Sequence, residues 1–146
     1  MKKLFVMLLI ALLLPVLTIA EGESAANGTP ITLTIGDLVI PAVLNDTVAA
    51  QDLLSRLPYT VGLSRGSVDF CGDIGEPLTY EQSDYQHGLT YGDLVWMPDG
   101  NWFVFFIEGV ESRVDRDWIV LGHMDDAWEQ TKELSGYIQI EIALAE

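Results

Sequence analysis

The chain has 146 residues, enough for one core-forming domain, and a formal net charge of −15 from 22 acidic against 7 basic residues. Such a surface repels phosphate backbones and anionic lipid, which excludes nucleic acid and leaves cations or basic peptides as the attracted partners. Apolar residues at 49% exclude a disordered chain, and the single cysteine, Cys71, excludes an internal disulfide and reads as a small buried hydrophobe.

The chain begins with Met1-Lys2-Lys3, continues as an uncharged apolar run over residues 4–20, and turns acidic at Glu21 and Glu23. A basic start, a greasy middle and small residues at Thr18 and Ala20 form the pattern of a secretory signal peptide. Export follows, with the body periplasmic, extracellular or membrane-anchored on the outside. Cleavage after Ala20 fits the boundary; the alternative is an uncleaved anchor, since about 17 apolar residues reach the lower limit for a bilayer span. That segment is the chain's only expected contact with a membrane. Residues 21–29 are a polar, Gly/Ser-containing spacer, and residues 30–146 are the domain.

From Pro30 the pattern has a period of two. Ile31, Leu33 and Ile35 alternate with threonines, Gly36-Asp37 turns the chain, and residues 38–44 return as a second strand. Pro41 lacks an amide hydrogen and belongs at a bulge or sheet edge. Asn45-Asp46-Thr47 caps a helix over residues 48–57 with Ala49, Ala50, Leu53, Leu54 and Leu57 on one face, and Pro58 ends it. The sequon at Asn45 is therefore structural, and the one at Asn27 is of a kind that arises by chance. Two short strands, 59–63 and 68–71, flank a Ser64-Arg65-Gly66 turn.

Residues 72–91 form a long loop without apolar periodicity, expected to be the most mobile internal segment. A hairpin follows: strand 93–97, the turn Pro98-Asp99-Gly100, and strand 101–107 (NWFVFFI), apolar on both faces and so covered on both sides. A strand over 118–121 is broken by Gly122. Asp126 and Glu129 start a second helix over 126–134, with Ala127, Thr131 and Leu134 on one face. In the last strand Ile138, Ile140, Ile142 and Leu144 face inward. The order ββ-α-ββ-ββ-β-α-β predicts a mainly β fold: a closed barrel of about eight strands with two capping helices.

Several pieces resemble the small stand-alone cyclophilin-like domains of bacteria and archaea. They are Leu44-Asn45-Asp46-Thr47 before a helix ending Leu57-Pro58, the stretch Gly92-Asp93-Leu94-Val95-Trp96-Met97-Pro98-Asp99-Gly100-Asn101, Phe105-Phe106, and Val120-Leu121-Gly122-His123-Met124. Together they span residues 30–144, in order and spacing. The resemblance implies the same closed barrel. True cyclophilins, similar in fold, are peptidyl-prolyl isomerases that aim an arginine from a Phe-His-Arg strand at the prolyl amide beside an aromatic pocket. Residues 101–107 look like the strand of that pocket, which implies Phe105 or Phe106 at its wall. The Phe-His-Arg motif has no counterpart; the matching region, ending at Phe70, offers only Arg65.

Other constellations are weaker. Asp115, Asp117, Asp125, Asp126 and Glu129 gather with His123 in sequence but lack the spacing of a calcium loop, so they read as a solvated acidic rim. Tyr85, His87, Tyr91, Trp96 and Trp102 collect aromatic surface around the long loop and hairpin, as core or as a peptide groove. No metal or other cofactor is expected. The leading reading is a non-catalytic module that binds a peptide or small molecule, with Arg65, Phe70, Trp96, Trp102, Phe105 and Phe106 as candidate binding residues. The alternative is a divergent prolyl isomerase with Arg65 as the polarising cation.

Overall fold

The computed structural model describes residues 27–146; the expected signal peptide or anchor, and the spacer up to residue 26, lie outside the described residues. The strands are β1 (Thr29–Ile35), β2 (Leu38–Leu44), β3 (Tyr59–Arg65), β4 (Asp69–Asp73), β5 (Tyr85–His87), β6 (Asp93–Met97), β7 (Trp102–Phe106), β8 (Asp117–Met124) and β9 (Tyr137–Leu144). Eight of them form one antiparallel ring in the order β2-β1-β9-β3-β4-β7-β6-β8, and β8 pairs back onto β2 to close it. Closure removes the free edges that a sheet of this length would otherwise present. The ninth strand, β5, is a short addition to β8.

Alternation fills the interior. Ile31, Leu33, Ile40, Leu44, Val61, Leu63, Phe70, Phe103, Phe105, Ile140 and Ile142 are all buried in one core. Phe70 and Phe105 stack there with ring centroids 5.2 Å apart. The described residues 27–146 form a closed barrel around an apolar core of their own. The helix α1 (Val48–Ser55) closes one end of the barrel with Ala49, Ala50 and Leu53. Thr47 is its N-cap, its hydroxyl accepting from the Ala50 amide at 3.2 Å. Asn45 Oδ1 accepts from the Thr47 amide and hydroxyl, as the capping sequence predicts.

A second, smaller apolar layer lies on the outside of β6, β7 and β8. Val95, Val104, Phe106, Trp118 and Val120 are buried under Leu89 and Val110. This layer is why NWFVFFI is apolar on both faces: Phe103, Phe105 and Ile107 face the barrel interior, and Val104 and Phe106 face the outer layer.

The structure revises several sequence expectations. Arg65 is in β3, not in a turn: it pairs with Phe70, and its amide donates to the Gly136 carbonyl at 2.8 Å. Gly122 does not break β8, which runs on to Met124; a Cβ there would strike the Val43 carbonyl, so glycine lets β2 close against β8. The second helix is a 3₁₀ segment over Asp126–Glu133, capped by Asp125 rather than Asp126, with Thr131 fully buried. The Thr131 hydroxyl donates to the Trp128 carbonyl three residues back, at 2.6 Å, and holds the tighter winding. Leu144 ends its strand at the barrel rim and is 58% exposed. Pro41 sits where β8 no longer reaches, since the β2–β8 ladder covers only Ala42 to Leu44.

The long loop is more structured than its composition implies. Ile74, Leu78 and Leu89 are buried, and the loop includes β5 and a 3₁₀ turn at Gln82–Asp84. Asp84, 5% exposed, reaches across to α1 and accepts from the Val48 and Ala49 amides at 3.0 and 2.9 Å. A carboxylate on the first amides of a helix satisfies donors that the helix itself leaves free. Asp52 ties the other end, accepting from the Thr79 amide at 2.6 Å and from Arg56 at 2.9 Å. Among the described residues no helix is long and apolar enough to cross a membrane.

Candidate functional site

Strand β8 runs along the floor of an open cleft. On one side it pairs with β6. On the other, β5 covers its first residues and β2 its last, which leaves a gap in the middle. Asn45 bridges that gap, its amide donating to the Leu121 carbonyl at 2.9 Å and its side chain to the Val120 carbonyl at 2.5 Å. Over the gap lies a cleft of about 370 Å³ with Val43, Leu89 and Val120 as apolar floor and Gln86, His87, Thr90, Asp93 and His123 among its polar groups.

Two aspartate–histidine pairs mark the cleft. His123 Nδ1 lies 2.8 Å from Asp93 Oδ1, with the Asp93 side chain 10% and the His123 side chain 52% exposed. The other Asp93 oxygen accepts from the Thr90 amide at 2.8 Å. A carboxylate accepts only, so Nδ1 of neutral His123 carries the proton and Nε2 is left as an acceptor. Gly92, at φ +92°, backs this ring: a Cβ there would fall 3.0 Å from His123 Cε1. His87 pairs with Asp117 at 3.0 Å, both well exposed. Asp117 and His123 are six positions apart on β8, about 20 Å along a strand, so the two imidazoles serve opposite ends of the cleft. Among the described residues no three histidine, cysteine, aspartate or glutamate side chains are placed to share a metal ion.

Residues 33–143 match the model of the cyclophilin-like family. The chain belongs to that family. A solution structure of a hypothetical protein from Archaeoglobus fulgidus superposes with a TM-score of 0.63 at 11% identity, covering 84% of this chain and 100% of that one. At that identity the likeness is one of fold alone. No curated protein matches the chain.

Within this cyclophilin-like barrel the residues singled out in the sequence go to separate places. Phe70 and Phe105 are in the interior at 0% exposure and offer no surface to a ligand. Trp96 is an interior residue too, its indole donating to Asn101 Oδ1 at 3.1 Å, with one edge on a small pocket of about 160 Å³ beside Tyr85 and Trp118. Phe106 belongs to the outer layer, covered by Trp118 edge-on at 5.7 Å and by the Arg113 guanidinium 4.6 Å above its ring. Trp102 alone is substantially exposed. Arg65 donates to the Lys132 and Leu134 carbonyls at 2.8 and 2.7 Å and lies over the Phe70 ring. It is not aimed into a pocket with Phe106. The aromatic group around the long loop also separates: Tyr80 meets Tyr85 and Trp96, whereas Tyr91 stacks on Trp128 at 4.9 Å. Of the acidic rim, Asp117 pairs with His87 and Asp125 caps the 3₁₀ segment, while His123 turns to Asp93.

The pairing of Asp93 with His123 is not legible in the sequence, where His123 stood out only beside the acidic rim, because the two are 30 positions apart and are joined by the β6–β8 register. The available signal is local: each follows a glycine at one end of an apolar strand, Asp93 opening β6 and His123 standing next to last in β8. Cys71 is half-buried, and burial, then the neighbouring Asp69 carboxylate, push its thiol up, which favours the inert protonated form.

Proposed function

We propose that the protein is an exported, non-catalytic cyclophilin-like module that binds a peptide or small molecule in the cleft over β8. One observation carries this reading: an imidazole held by a nearly buried carboxylate, set beside an apolar floor and left half open to solvent. Such a site supplies a fixed acceptor for orientation and apolar area for affinity, the combination that small-ligand sites use. The acidic surface draws basic ligands toward it. Export rests on the sequence of residues 1–20.

The alternative, a prolyl isomerase, needs a fixed cation facing an open aromatic floor. The Arg65 guanidinium is occupied by two backbone carbonyls, and the Phe106 ring is under Arg113. Both features favour binding without turnover. Loss of one preorganised electrostatic group costs about a hundredfold in rate. The test uses a lysine-containing proline tetrapeptide in two assays on residues 21–146. In a protease-coupled assay we expect no acceleration of prolyl isomerisation; robust turnover that collapses in Arg65→Ala would establish the alternative. In an amide-resolved NMR titration we expect shifts at Leu89, Thr90, Val120 and His123. Shifts confined to the Phe106–Trp118 side would remove the cleft from consideration.

A further inference from the structure

The cleft does not end at His123. A second cavity, of about 530 Å³, lies against Pro30, Thr32, Pro41 and Val43, and shares Val43 and His123 with the first as a common wall. The register explains the continuity. Pro30 of β1 is paired with Val43 of β2, Val43 with His123 of β8, and His123 with Asp93 of β6. Their neighbours Ile31, Ala42, Leu94 and Met124 are buried inside the barrel, so these four side chains stand outward in one row. At the usual strand spacing the row is about 14 Å long. It is apolar at the β1 end and polar at the β6 end.

Charge selects among ligands for such a row. The polar end presents His123 Nε2 as an acceptor, with the Asp93 carboxylate behind the ring. Asp125 and Glu146 stand on the rim of the apolar cavity, and among the described residues no lysine or arginine lines either cavity. A carboxylate or phosphate head would meet negative potential without a cation to receive it. A protonated amine meets an acceptor and three carboxylates. Each cavity is of the size that takes a small molecule rather than a folded partner.

We propose that the ligand of this site is a small amphiphilic amine. Its ammonium group donates to His123 Nε2, and its aliphatic body crosses Val43 into the groove between Pro30 and Pro41. The inference rests on the binding reading above and adds to it the second cavity and the charge of the ligand.

The test is a calorimetric titration of residues 21–146 at pH 8 with n-alkylammonium ions from ethyl to octyl, with octanoate as the anionic counterpart. Burial of successive methylenes should raise affinity about threefold to fourfold for each carbon that enters the groove. Octanoate should bind at least about tenfold more weakly than octylammonium, in keeping with a head-group preference of the size set by a charge-assisted hydrogen bond. Thr32→Trp, which fills the groove from the exposed face of β1, should flatten the chain-length series while leaving ethylammonium unchanged. Pro41→Lys, which adds a like charge, should weaken octylammonium without filling space. A flat series, equal binding of octanoate, or full octylammonium affinity in both variants would overturn the proposal. So would displacement of octylammonium by an apolar peptide with a free amino terminus at lower concentration, which would make a peptide the occupant. The two readings fail differently: a flat amine series with tetrapeptide shifts still mapped to Leu89 and His123 sinks the amine proposal alone, whereas absence of both sinks the cleft.

Discussion

Two parts of the outer surface lie side by side and differ in what covers them. Around Phe106 the turn after β7 folds back, so that Val110, Trp118 and Arg113 enclose the ring. Around His123 the described residues leave the ring half exposed, and a nearly buried carboxylate holds it at the edge of a cleft. Leu89 and Val120 belong to both regions and form their border. Phe106, which the family resemblance assigns to a pocket wall, belongs instead to a second small core, and the cleft lies across β8 from it. Apolar composition alone does not distinguish these outcomes, because a ligand floor and a buried layer are built from the same residue types.

Phe106→Ala removes a ring packed on all sides and should cost about 3–5 kcal/mol in denaturant-derived stability, as truncation of a buried aromatic does, with tetrapeptide affinity unchanged. A cost under about 1 kcal/mol would mean that the outer layer is loosely packed and open to a ligand. Asp84→Ala should cost about 2–3 kcal/mol, because it leaves the Val48 and Ala49 amides without their acceptor. It should also weaken ligand binding, since the same loop supplies Gln86 to Thr90 of the cleft wall. Amide exchange across residues 80–90 should be slow in the native protein and fast in this variant; equal rates would show that Asp84 does not anchor the loop.

Smaller effects come from the edges. Arg113→Ala should lose about 1 kcal/mol, the worth of a cation over an aromatic face. The hydrogen-bonded Arg56 guanidinium holds the Asp52 carboxyl below its usual range, against an opposing push from burial. A depressed folded-state value means that this stability is present above the ordinary carboxylate range, near about pH 4, and is lost as pH falls through and below it. In Asp52→Asn an acid-unfolding curve should be correspondingly flatter; an unchanged curve would show that the pair contributes nothing.

Much of this fold is written in local pattern. Alternation in β1 and β9, the cap at Thr47, the hairpin turn before β7 and the double-sided apolar run of β7 each follow from neighbouring residues. What escaped depends on contacts between distant ones. Arg65 belongs to a strand because Phe70 and Gly136 pair with it, and Gly122 continues a strand because β2 crosses close by. Tyr85–His87 is too short to show a period and exists because β8 offers it a partner. The site has the same character: Phe105 and Phe106 were visible as aromatic residues, but which side of the sheet is open depends on the turn after β7. The Asp93–His123 pair exists only through register.

We propose that ligand is held on the His123 side of β8 and not on the Phe106 side. The most direct test is the affinity of the lysine-containing proline tetrapeptide for two variants, His123→Ala and Arg113→Ala, each first verified as folded by its NMR spectrum. Loss of a fixed acceptor in a half-buried site should weaken binding about tenfold in His123→Ala, and Arg113→Ala should bind as the parent does. The reverse pattern, with His123→Ala unaffected and Arg113→Ala impaired, would contradict the account and return the site to the aromatic layer.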